Sequence, residues 1–373
     1  MKDKIFNFLL VLTILVLIAI LGIFGFVMYN EISGNGSLEF TLSEAGYPTI
    51  EYKETKEEIR NVSSNTDENL FSEIKNTEEN NNTEFKSRFL YNQLNSDSKL
   101  IYDKLYANMD NLKTGMYTIE FGNAFSETLS QEDGYDVLQS NYQSAIEAFL
   151  YENPEAFFLN ATKMYINIEK ITKIMGVRYN VYINSGKQVN YFSDTFFSKD
   201  DVDNSFAEIE QIKDQIMAET YGLSDYEKIR KIHDYLIDTI DYDRTVTENN
   251  IYDIYGALVN KVCVCEGYAK AFQYLMNQAE IENAIVIGIG TNSNGKTENH
   301  AWNYVKLAGN WYAVDVTWDD PIIVGGGKLS NKSRYQYFLK GSETMSKNHT
   351  ESKTFTTGGQ EFTYPVLSEK DYK

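Results

Sequence analysis

The chain has 373 residues, room for a membrane segment, a linker and one or two globular units at roughly 100–200 residues per domain. A hydrophobic fraction of 42% and an aromatic fraction of 14%, with 28 Tyr and 21 Phe, exclude a wholly disordered chain. The formal net charge of −20 argues against nucleic acid as a partner, because phosphate binding needs clustered Lys and Arg.

From Phe8 to Met28 the sequence carries no charge and only Thr13 as a hydroxyl, matching the roughly 20 apolar residues a membrane-crossing helix needs. Lys2 and Lys4 precede it and Glu31, Glu39 and Glu44 follow, so the positive-inside bias predicts a single-pass cell-membrane protein with its remainder extracytoplasmic. A cleaved signal peptide is the competing reading, but its apolar region runs to about 7–15 residues and ends at a small-x-small site. The stretch from about Glu51 to Lys86, rich in Glu, Asn, Thr and Lys, reads as a flexible spacer.

Leu94, Ile101, Leu105, Met109 and Leu112 recur at helical spacing behind Ser96 and Asp97, so a folded unit begins near Tyr91. Met116–Phe121 reads as a strand, Val137–Tyr151 as a helix stopped by Pro154, and Met164–Ile168 with Val177–Ile183 as paired strands. Asp201–Ala218 predicts a further helix. Ser224-x-x-Glu227 is a capping box opening another, with Ile229, Ile232, Leu236 and Ile240 on one face.

Cys263 and Cys265, the only cysteines, are one residue apart, too close for an unstrained disulfide. Cys265 opens CEGYAKAFQYLMNQAE, in which Ala269, Phe272, Leu275, Met276 and Ala279 form a buried helical stripe. At that helix start, unpaired N–H groups and the positive end of the dipole stabilise a negatively charged sulfur, the setting of a nucleophile. Cys263, before the helix, is assigned to packing. Gly267 lets substrate or another backbone approach closely.

His300 opens a predicted strand running to Leu307, Ala308–Gly309 make a tight turn, and Asn310–Thr317 return as a second strand. If Leu307 faces Asn310, Trp302 faces Asp315, and Asp315 lies diagonally beside His300 on one sheet face. A three-residue turn would send the carboxylate to the other face. In the first register Asp315 fixes the imidazole tautomer and leaves the other nitrogen to take the proton of Cys265, a Cys-His-Asp triad. No metal site or cofactor is expected: His233 and His349 stand far off in sequence and match no usual ligand spacing. Trp302, Trp311, Trp318 and Tyr268 are read as core more than groove. Asp319 and Asp320 are expected to organise a turn before Pro321. The Gly325–Gly327 run and the tail give no chemical signal, although Tyr335, Tyr337, Phe338 and Leu339 suggest a last packed element.

Ile232-His-Asp-Tyr-Leu236 with Tyr242–Asp243, Cys265-Glu-Gly-Tyr-Ala-Lys-Ala-Phe272, His300-Ala-Trp-Asn303 and Trp311-Tyr-Ala-Val-Asp-Val-Thr-Trp-Asp-Asp-Pro321 together resemble the transglutaminase-like superfamily, specifically its bacterial transglutaminase-core proteins. The resemblance implies an α+β, papain-like core in which a nucleophile helix packs on an antiparallel sheet carrying His and Asp. It implies Cys265, His300 and Asp315 as the catalytic residues. It further implies an acyl-enzyme at Cys265 formed from amide or peptide substrates, with the acyl group passed to an amine or to water. A cysteine peptidase or amidase, or a non-catalytic binding module on the same fold, remain alternatives. The expected organisation is an anchor over residues 1–30, a linker over 31–88, a mainly helical α+β region over 89–220, the catalytic core over 221–345 and a tail over 346–373. Expected partners are protein or peptide substrates at the cell surface or wall, and the membrane.

Overall fold

The computed structural model describes residues 38–39, 50–56, 87–173, 176–193, 195–292, 295–320, 331–354 and 358–373. They form an α+β structure with two principal sheets.

Asn95 caps α1 (Ser96–Ala107) by accepting from the Ser98 N–H, which satisfies one of the donors a helix start leaves unpaired. Its buried Ile101, Tyr102 and Leu105 face α2 (Gly134–Glu152), which buries Tyr142, Ala145, Ile146 and Phe149 and stops at Asn153 before Pro154. Beside them lies a sheet of β1 (Leu38–Glu39), β2 (Ile50–Lys56), β3 (Ile119–Gly122), β4 (Tyr165–Lys173) and β5 (Gly176–Asn184), ordered β1-β2-β4-β5-β3. The antiparallel β4–β5 ladder buries Ile166, Ile168, Val181 and Ile183, as their alternation predicts. One expectation is corrected here. The supposed spacer begins as strand, since β2 pairs in parallel with β4 from Ile50 to Lys56; residues 57–86 lie outside the described part.

Ser198 caps α3 (Lys199–Thr220), and Ser224 with Glu227 closes the full capping box of α4 (Asp225–Thr239). On α4, Ile229, Ile232 and Leu236 are buried with Ile240 just beyond, each such side chain stabilising by about 1.5–3 kcal/mol relative to exposure. Two short parallel strands, β6 (Asp241–Tyr242) and β7 (Val262–Cys263), lead into α5 (Cys265–Gln278). The second sheet, β8 (Asn283–Thr291), β9 (Thr297–Leu307), β10 (Asn310–Val314) and, from the far end of the chain, β11 (His349–Glu351), is antiparallel throughout in the order β10-β9-β8-β11. α5 packs on it through Ala269 against Ile285 and Ala301, and Asn303 donates to the Ala269 carbonyl at 3.0 Å. The stretch from residue 346, read as a tail, therefore supplies an edge strand of this sheet. Tyr337, Phe338 and Leu339 are buried against the core.

Among the described residues no helix is long and apolar enough to cross a membrane. The expected single-pass, membrane-anchored placement is corrected on that finding. Phe8–Met28, where the span was expected, lies outside the described residues, as do Pro321 and Gly325–Gly327.

Candidate active site

Ala308 and Gly309 both take positive φ, 51° and 82°, the geometry of the two-residue hairpin turn whose twist suits flanking strands. Leu307 therefore pairs with Asn310 and Val314 with Asn303. Continuing that register brings Asp315 level with Trp302 on the face carrying His300. The return strand is shorter than expected, however. It ends at Val314, and Asp315 instead caps the short helix α6 (Val316–Asp319), its Oδ1 accepting from the Trp318 N–H at 3.1 Å. Capping frees Oδ2, which lies 2.7 Å from His300 Nε2. With Nε2 committed there, Nδ1 is the ring nitrogen left to face Cys265, which lies near enough to help raise the His300 pKa. The fold thus brings Cys265, His300 and Asp315 together from the start of α5, the middle of β9 and the end of β10.

His300 and Asp315 are buried, while Cys265 keeps partial exposure. Burial disfavours a charged His300 ring, but the Asp315 carboxylate beside it and the hydrogen bonds to Asp315 and Cys265 outweigh that and raise its pKa. For Asp315, burial alone would raise the pKa. The charge of His300 and the hydrogen bonds from both neighbouring imidazoles hold it well below the usual carboxylate range. Both directions favour the charged pair over the neutral one. Indole rings fix the imidazole, with Trp318 stacked at 5.0 Å and Trp302 at 5.9 Å between centroids. Gly290 makes room for this, since a Cβ there would come within 2.7 Å of the Trp318 ring.

Cys263 is fully buried, and burial pushes its thiol pKa well up, in keeping with a packing role. Gly267 is explained by a neighbouring backbone: a Cβ would meet the Ile251 carbonyl oxygen at 2.6 Å and the Cys263 Cβ at 2.5 Å. Tyr242 sits close to Cys265 and Glu298, its pKa pushed up to about 12, first by burial and then by those neighbours. The following Asp243 carboxylate accepts from the backbone N–H groups of Thr245, Val246, Thr247 and Glu248 at 2.8–3.0 Å. It thereby shapes the loop that walls a cleft of about 530 Å³, with Ile251, Tyr252 and Lys270 along its lining. The Ile251 carbonyl accepts from Val264, the residue before Cys265, which links this loop to the start of α5.

Residues 211–316 match the transglutaminase-like superfamily. They form a transglutaminase-like core. The kyphoscoliosis peptidase of Mus musculus is 28% identical over 111 residues, covering 27% of this chain and 17% of the mouse protein. Among solved structures, a TGase shares 16% identity at a TM-score of 0.29, over 48% of this chain and 50% of that one. The periplasmic domain of TgpA from Pseudomonas aeruginosa shares 13% at 0.24, over 38% of this chain and 56% of that one. At such scores these structural likenesses decide nothing, and the family match is confined to residues 211–316.

Several residues around the transglutaminase-like core are illegible in the sequence. His349, set aside for its distance along the chain, lies with Nε2 3.0 Å from the same Asp315 oxygen that His300 contacts. Donor atoms of His300, Asp315 and His349 lie within 4.8 Å of one another, close enough in principle to hold a metal ion. Two ring N–H groups donating to one carboxylate oxygen account for that convergence without an ion. Asp319 and Asp320 do more than shape a turn: Asp319 Oδ2 meets buried His233 Nε2 at 3.1 Å, and Asp320 accepts from the Tyr268 hydroxyl at 2.7 Å. His233 stood within the Ile232–Leu236 motif, whereas only the rarity of histidine, three in the chain, marked His349.

Proposed function

We propose that the chain is a cysteine enzyme that transfers acyl groups from amide or peptide substrates through a thioester at Cys265. One observation supports it above the rest: a buried His300–Asp315 hydrogen bond of 2.7 Å with a partly exposed cysteine at a helix start beside the imidazole. Cys265 Sγ, as the thiolate beside the His300 imidazolium, attacks the substrate carbonyl. The C–N bond breaks, and the leaving amine takes the proton from His300 Nδ1. In the second half, water or an amine attacks the thioester carbonyl and gives its proton to the now neutral His300; the C–S bond breaks, and the thiolate is restored beside the imidazolium. Asp315 keeps the ring oriented and stabilises its positive form throughout. The backbone N–H of Cys265, among those a helix start leaves unpaired, serves the developing oxyanion.

The test is incubation of the full chain with a mixed peptide digest, with and without an added primary amine, read by mass spectrometry. Wild type is expected to give cleaved, deamidated or amine-coupled peptides, and Cys265→Ala none of them while keeping the wild-type circular dichroism. Amine-coupled products identify a cross-linking enzyme, and cleavage alone a peptidase. Full turnover by Cys265→Ala overturns the reading.

A further inference from the structure

We infer that His349 is a positioning residue for the proposed acyl transfer, holding the same Asp315 oxygen that His300 contacts; the inference rests on the function proposed above.

The strand that carries His349 lies beyond the 211–316 stretch matched by the superfamily. β11 joins β8 with His349 opposite Gly290, whose missing side chain leaves space for the Trp318 ring. The His349 ring is packed against Trp318 at 4.5 Å, Trp302 at 5.0 Å and Tyr337 at 5.3 Å. Its Nδ1 lies 2.9 Å from the Asn348 side chain, which in turn bonds the Tyr337 hydroxyl at 2.6 Å. The ring is therefore held in its plane and at its far nitrogen, with Nε2 aimed at Asp315. The titratable groups facing it are Asp315, His300 and Tyr337.

The consequence lies in how Asp315 is fixed. Its Oδ1 takes one backbone N–H from Trp318, and its Oδ2 takes His300 and His349 together. Without His349, Oδ2 keeps a single partner, and the carboxylate can turn about its Cβ–Cγ bond and follow any drift of His300. A catalytic ring needs its orienting partner fixed independently, because a misplacement of about 1 Å can cost on the order of 10²-fold in rate. His349 supplies that fixed point from a strand that does not carry the nucleophile. It also ties completion of the site to docking of the chain's last segment.

The experiment needs no substrate. Cys265 in the full chain is alkylated with iodoacetamide at about pH 6 and about pH 9, in wild type, His300→Ala, His349→Phe and His349→Gln, alongside thermal melts; only a sulfur held as thiolate reacts fast at the lower pH. His349→Phe keeps a packed ring and loses the donor, and His349→Gln keeps a donor of similar reach. His349→Phe is expected to react about tenfold more slowly near pH 6 and like wild type near pH 9, and His349→Gln to stay within about threefold of wild type at both. Should the Phe variant fail to fold, His349→Asn, too short to reach Asp315, takes its place with the same expectation. If the donor-less variant keeps the wild-type rate while His300→Ala is slow, or if Gln is as slow as Phe at unchanged melting temperature, the positioning role is overturned and the proposed function stands. If His300→Ala itself matches wild type near pH 6, the triad reading falls and the inference with it.

Discussion

At Asp315 two imidazoles and one backbone N–H meet a single buried carboxylate, an arrangement whose charge state can be followed by pH. The sign is set by the directions of the two shifts. His300, raised above its unfolded value of about 6.5, adds stability that is complete below that value and fades as pH climbs through the higher folded one. Asp315, held below about 3.9, adds stability present above that value and lost as pH falls through its folded one. His300→Gln is therefore expected to show its largest stability deficit near neutrality and to approach wild type as pH rises into the alkaline range. Urea titrations at about pH 6, 8 and 10 check this, and a deficit that stays constant across them would mean that the ring is not charged in the fold.

Among the elements, the β9–β10 hairpin and the loop after β6 illustrate two kinds of control. The hairpin sets its register through two positive-φ residues, so one turn decides on which sheet face Asp315 falls. The loop depends on a side chain. Asp243 gathers four successive backbone N–H groups and the Thr245 hydroxyl, and so builds one wall of the cleft lined by Ile251 and Tyr252. Asp243→Ala removes every one of those acceptors, and the segment 244–250 is expected to become the first site of limited proteolysis while α4 and α5 stay protected. A wild-type cleavage pattern in the variant would show that the loop holds its shape by other means.

Across the whole molecule, residues 87–93 join its parts. Glu152 at the end of α2 accepts from the backbone N–H groups of Leu90 at 2.5 Å and Tyr91 at 3.2 Å, and from the Tyr102 hydroxyl at 3.1 Å. Ser87 accepts from the Asn283 N–H of β8 at 2.8 Å, and Gln93 from the Thr363 N–H at 2.9 Å. One short segment therefore ties the helical region to the core sheet and to the end of the chain. Glu152→Leu leaves buried donors without an acceptor and is expected to cost about 2 kcal/mol or more, read as a lower denaturant midpoint at unchanged slope. The Cys265 alkylation rate should not change, since Glu152 lies outside the site.

The sequence by itself determined whatever depends on neighbours along the chain. The capping box at Ser224, the apolar stripe behind Cys265, the alternation of β4 and β5, and the turn that brings Asp315 toward His300 are all local, with periods and spacings visible in a single string. Tertiary structure alone decided what depends on distant segments meeting. His349 reaches Asp315 through β11, a strand of three residues with too little pattern to be read, and Asp319 finds His233 across 86 positions. It also decided that Asp315 ends a strand as a helix cap, because burial and hydrogen-bond supply outweighed the alternation that predicted three further strand residues. The shifts of the pair were decided in the same way: burial alone would lower His300 and raise Asp315, and each moves the other way only because the fold makes them partners.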